Sequence, residues 1–175
     1  RSSQQSIKSE QLIQDLEKVS IKERDELLIA LVKIDVQIVA KDYERAKRAL
    51  EDLYEEHPKD YNVIRRLLST LCALKEFQQA DRLYCSVSKP ELLGEQQTKW
   101  RREIACGLLE KAVAKDIDHL VASWRALKPE SQLDEVVTSF YLTTLNRLGQ
   151  GDLALNFLKK RLRKVPNDAQ SIVLI

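Results

Sequence analysis

Apolar positions along this chain fall at steps of three and four, the period of one helical face. Leu12, Ile13, Leu16 and Val19 share a face over 7–19. Ser20 followed by Glu23 is a capping-box pattern that starts a second helix through Leu27, Leu28, Leu31, Ile34, Ile38 and Val39. The next stretch states one spacing twice. Tyr43, Ala46, Leu50 and Leu53 recur 34 positions later as Phe77, Ala80, Tyr84 and Val87. Aromatic answers aromatic and small answers small, the signature of stacked helical hairpins. A small residue sits where two helices cross closely, and large apolar residues four and seven later bury against the next hairpin. The small position returns at Leu120 after 40 residues and at Ala154 after 34. The six extra residues are expected in the 86–95 connection.

This pattern predicts an all-α fold, a right-handed superhelix of antiparallel helical hairpins over about 21–58, 60–88, 91–129 and 134–166. Residues 1–6 are polar and aperiodic and read as a disordered or linker end. The rest, 7–175, reads as a single helical-repeat domain, with a truncated further repeat at 168–175. Asp60 and Asp134 open hairpins; Pro58, Pro129 and Pro166 close helices. Ser88-Lys89-Pro90-Glu91 is another capping pattern, and a long helix is expected from about Leu92 through Trp100, Ile104 and Leu108. Ile117, Leu120, Trp124 and Leu127 line its partner.

Composition agrees. Only four Gly and four Pro occur, sparse for a β-rich fold with many tight turns. Apolar residues make up 43% and charged residues 32%, so the chain can bury a core and is not disordered by composition. A net charge of +2 does not point to a nucleic acid. No run of about 20 apolar residues is present to span a bilayer. The chain starts at Arg1 and holds no Met, so we expect a piece of a longer protein, with any anchor upstream.

Candidate chemistry is thin. His57, before Pro58, reads as a turn or C-terminal cap, and His119 as structural or solvated. Cys72, Cys85 and Cys106 lack metal-site or disulfide spacing, so no metal is expected. Gly149-x-Gly151 reads as a tight inter-helix turn rather than a phosphate loop. Glu51-Asp52 and Glu55-Glu56 read as solvated surface. The basic run 159–164 complements a helix C-terminus, or else is drawn to an anionic membrane surface. Nothing supports an enzyme, a catalytic residue or a cofactor.

A partner-binding groove is the remaining candidate. Arg65, Arg66, Ser69, Trp100 and Arg102 fall on first helices of their hairpins, the type that lines the inner curve of such an array. Ser139, Thr143, Asn146 and Arg147 take comparable slots in the last hairpin. Guanidiniums in a groove pair with peptide carboxylates. The alternative is that these are ordinary exposed residues.

Ile64, Leu67, Leu71, Phe77, Ala80 and Tyr84, with Tyr43, Ala46, Leu50 and Pro58, resemble the tetratricopeptide repeat. Leu68 and Val87 depart from it where small residues are usual, and Lys33 and Ile34 stand where Leu and a small residue are expected. Over about 35–168 the chain also resembles the HemY-type helical-repeat membrane proteins of proteobacteria. The matching residues are Tyr43-Glu44-Arg45-Ala46, His57-Pro58, Leu120-Val121-Ala122-Ser123-Trp124, Leu127-Lys128-Pro129 and Leu148-Gly149-Gln150-Gly151-Asp152. The resemblance implies a non-catalytic scaffold linked to haem or porphyrin metabolism. It implies a bacterial inner-membrane protein whose repeat domain faces the cytoplasm, anchored outside this stretch. The expected partner is a protein helix or peptide in the concave groove. A tetrapyrrole carrier and a homo-oligomerisation module are the alternatives.

Overall fold

The computed structural model describes residues 23–164. The helix expected over 7–19, Ser20, Pro166 and the repeat expected at 168–175 lie outside them. Nine α-helices and no strand are present among the described residues. They are α1 Glu23–Val39, α2 Tyr43–Glu56, α3 Tyr61–Ala73, α4 Phe77–Ser86, α5 Gln96–Val113, α6 Ile117–Ala126, α7 Pro129–Leu133, α8 Glu135–Arg147 and α9 Gly151–Lys164. The all-α expectation is met. The chain divides into two compact units between Trp100 and Arg101.

Aspartates start four of these helices. Asp42 accepts from the Arg45 N–H, Asp60 from Asn62 and Val63, Asp116 from His119, and Asp134 from Val136 and Val137. Each satisfies donors that a helix start leaves without partners. The helix ends repeat as well. Lys41 (φ 62), Lys75 (φ 59) and Gly149 (φ 70) are left-handed. In each case the next residue's N–H reaches back five positions, Asp42 to Gln37, Glu76 to Leu71 and Gln150 to Leu145, at 2.9 Å. This is the Schellman closure, and it turns the chain back on itself in very few residues. Gly149 thus serves the expected turn, whereas Gly151 begins α9 and has no positive φ.

In the first unit α2 packs on α1 and α3, and α4 packs on α3. Ala46, Leu50, Leu67, Leu68, Leu71, Ala80 and Tyr84 are buried there. Two ion pairs tie elements across the turns: Arg66 of α3 to Asp35 of α1 at 2.8 Å, and Lys47 of α2 to Glu76 before α4 at 2.6 Å. In the second unit Ala105, Leu109, Leu120, Trp124, Val137, Tyr141, Leu142, Leu145, Ala154 and Leu158 form one core. All four register positions, Ala46, Ala80, Leu120 and Ala154, are buried.

Three boundaries differ from expectation. Ser88 does not cap a long helix: Lys89 precedes a short 3-10 turn, Pro90–Leu93, without a side-chain cap. Gly94 (φ 75, ψ −157) then breaks the chain, and α5 starts only at Gln96. That backbone region is open essentially to glycine alone. The extra residues are not all in the connection, because α5 has 18 residues where α3 and α8 have 13. Pro129 does not merely close a helix. It occupies the first turn of α7, five residues that periodicity is too short to register.

The left-handed lysines are strained in a way glycine is not. Lys75→Gly should raise the unfolding free energy by about 0.5–1 kcal/mol, and Gly149→Ala should lower it by about 1 kcal/mol. Urea denaturation midpoints measure both. A Lys75→Gly chain no more stable than its parent would mean that the turn stores no strain.

Candidate functional site

The second unit holds an open cleft of about 590 Å³. The residues that build it follow from Pro129. Proline is pre-set for a first helical turn, so the chain leaving α6 at Leu127 enters α7 at once. Gln132 of α7 then folds back. Its Nε2 donates to the carbonyls of Trp124 and Leu127 at the end of α6, both at 3.0 Å, the first of which also accepts from the Leu127 N–H. From α9, Arg161 Nη1 donates to the Gln132 carbonyl at 3.2 Å and to Thr138 Oγ1 at 2.8 Å. Thr138 Oγ1 donates in turn to the Gln132 carbonyl at 3.1 Å. These bonds fix α7 against α6, α8 and α9.

An aromatic cluster floors the cleft. Trp124 and Tyr141 stack with centroids 4.3 Å apart, and Phe157 meets both edge-on at 5.3 and 5.6 Å. Such pairs hold a rigid apolar floor. Burial pushes the Tyr141 hydroxyl above its usual pKa, against the opposing effect of Arg125. Leu133 and Leu153 line the cleft while staying 64% and 43% exposed. Arg125, Lys160 and Arg161 also line it, and no carboxylate does among the described residues.

None of the groove residues expected from the sequence lines this cleft. They are divided between the two units: Arg65, Arg66, Ser69 and Trp100 in the first, Arg102, Ser139, Thr143, Asn146 and Arg147 in the second. Trp100 is 5% exposed and is a core residue, not a groove contact. Arg66 chelates Asp35 through Nε and Nη2. Arg65 donates to the Leu92 carbonyl. Arg102 donates to both Asp134 oxygens at 3.0 and 2.9 Å. The guanidiniums expected to receive a partner's carboxylates thus serve the chain's own acceptors. Ser69, Thr143, Asn146 and Arg147 are exposed, and Ser139 is half-buried.

No protein-family model, curated protein or solved structure matches this chain. No described helix is long and apolar enough to cross a membrane. The function must therefore be argued from the residues.

The histidines do not join the cleft. His57 ends α2, its backbone N–H bonded to the Leu53 carbonyl at 2.8 Å. His119 Nδ1 lies 2.7 Å from Asp116, and its backbone N–H bonds the same carboxylate. Those bonds hold the Asp116 carboxyl below its ordinary value. A tetrapyrrole held in the cleft would thus lack His119 as an axial ligand. Cys72 is buried, Cys85 exposed, and burial raises the half-buried Cys106 thiol. Among the described residues no three His, Cys, Asp or Glu side chains come together as a metal group.

Sequence reasoning missed the cleft because its key residue, Gln132, lies in the short α7. The visible signal was the set of aromatics Trp124, Tyr141 and Phe157: the first two read only as helix-lining positions, and Phe157 was passed over.

Asp134, between α7 and α8, holds both to α5. Burial alone would raise its carboxyl, but hydrogen bonds from Arg102, Arg101 and the Val137 N–H hold it below the usual carboxylate range. Its folded value thus lies below its unfolded one, so the stabilisation is complete above about pH 4 and fades as pH falls further. Asp134→Asn should cost about 2–3 kcal/mol near neutral pH, with the gap to the parent narrowing near pH 3. Urea unfolding at the two pH values checks this. An unchanged gap would mean that the carboxylate's charge is not what stabilises.

Proposed function

We propose that this chain is a non-catalytic protein-interaction scaffold that receives a segment of a partner protein in the cleft of α6, α7, α8 and α9. The supporting observation is the rigid aromatic floor with Leu133 and Leu153 left exposed beside it. Clustered apolar surface kept in water marks contact with a partner. The openness of the site favours a protein over a small ligand, which a pocket usually encloses over most of its surface.

The hairpins are proposed to be tetratricopeptide-like and to continue as a superhelix, on the recurring spacing and the recurring Schellman turns. The HemY-type attribution, with its haem or porphyrin metabolism and bacterial inner-membrane setting, rests on the sequence resemblance alone. The scaffold reading stands without it.

Peptides selected from a random display library against the full chain test the reading. They should bind Leu133→Asp or Leu153→Asp about tenfold or more weakly than the parent, as expected when an apolar contact at an interface centre is lost. Selected peptides indifferent to both substitutions would remove the cleft as the site.

A further inference from the structure

The charges around the cleft narrow the chemistry of its occupant. Several cations elsewhere in the fold meet carboxylates. Lys47 meets Glu76, Arg66 meets Asp35, and Arg101 and Arg102 meet Asp134. The cleft is lined by cations and by no carboxylate among the described residues. Arg161 donates to the Gln132 carbonyl and the Thr138 hydroxyl. Arg125 and Lys160 are exposed, and neither has an ion-pair partner among the described residues. Arg125 and Lys160 therefore stand at one apolar cleft that is lined by no carboxylate among the described residues.

We propose that the occupant is an acidic segment of a partner protein bearing an aromatic or aliphatic anchor. The anchor enters over Trp124, Tyr141 and Phe157, and carboxylates beside it meet Arg125 and Lys160. This rests on the scaffold reading and adds the chemistry of the partner. Complementary charge at the rim of an apolar site speeds encounter and selects among partners. A basic segment meets like charge on both sides of the same floor. An anionic membrane also offers negative charge, but a flat lipid surface does not enter a cleft, and the apolar floor here is recessed. Asn156, also on the cleft, supplies an amide that can donate to the same carboxylates.

The display selection on the full chain separates the possibilities. Its peptides should be enriched in Asp and Glu around an aromatic or aliphatic residue. Their synthetic copies should bind Arg125→Glu/Lys160→Glu about tenfold more weakly than the parent, and more weakly as salt rises. The milder pair Arg125→Gln/Lys160→Gln should fall between. Peptides of neutral or basic composition that still require Leu133 would overturn this inference and leave the scaffold reading intact. Peptides indifferent to Leu133→Asp, or no peptide recovered, would overturn both. Vesicles of phosphatidylserine and phosphatidylcholine are the second arm. Binding to them that depends on Arg125 and Lys160, and that the peptides do not compete, would assign the cations to a membrane and overturn the proposal.

Discussion

The Asp134 carboxylate, 3% exposed, gathers donors from two helices. Val136 and Val137 reach it from the first turn of α8, at 3.0 and 3.4 Å. Arg101 and Arg102 reach it from α5, at 3.1 Å and at 2.9–3.0 Å. A buried carboxylate is costly unless its lone pairs are filled, and here they are filled by charged and neutral donors together. The consequence is positional. With the start of α8 fixed to α5, Tyr141 falls two turns along α8, where it stacks on Trp124. The α7–α8 junction is fixed at the same point, because Asp134 both ends α7 and caps α8. The cleft is thus set by the ion-paired Asp134 at the α7–α8 junction and by the hydrogen bonds of Gln132.

This arrangement also separates rigidity from availability. The polar groups that brace the cleft are occupied within the fold: Gln132 on the last carbonyls of α6, Thr138 on the Gln132 carbonyl, Arg161 on both. The lining that stays exposed includes apolar Leu133 and Leu153, cationic Arg125 and Lys160, and the amide of Asn156. A site whose frame is already satisfied loses little entropy of ordering when something binds, since its walls do not have to be organised by the ligand. The contrast with the residues first expected to bind is physical. Arg66, Arg102 and Trp100 sit on the helices that a groove would use, but two are neutralised and one is buried.

The sequence made the repeat legible and left most of the site hidden. Spacing located Ala46, Ala80, Leu120 and Ala154, and all four are buried, because close helix crossings impose their period directly on the chain. Asp60 and Asp134 were legible as helix starts because a cap acts on residues two and three positions away. Ion pairing does not act locally. Arg66 finds Asp35 31 positions back, and Arg102 finds Asp134 32 positions ahead. No window on the sequence shows which cation will be claimed. The 18-residue α5 was hidden for another reason: added helix and added loop change the repeat spacing by the same amount. Only Gly94, in a backbone region that other residues avoid, marks where the helix is free to begin.

The basic run at 159–164 shows how one sequence feature divides into separate physical roles. All of its cations lie toward the end of α9, where they complement the negative end of the helix dipole whatever their direction. That is the general role, and it would be served equally by any arrangement of lysines and arginines. The fold then distinguishes the members. Among the described side chains of the run, Lys160 and Arg161 line the cleft, since a helix turns each successive residue by about 100° and spreads a run of six around its circumference. Of these two, Arg161 has the flat fork that reaches a carbonyl and a hydroxyl together, and it is used as structure. Lys160 carries a single point charge at the end of a flexible stem and is left in water. Arg125 stands beside the same aromatic floor from α6. The helix dipole does not account for a pair of cations from two different helices meeting at one cleft. The acidic segment proposed for the cleft would account for their shared position.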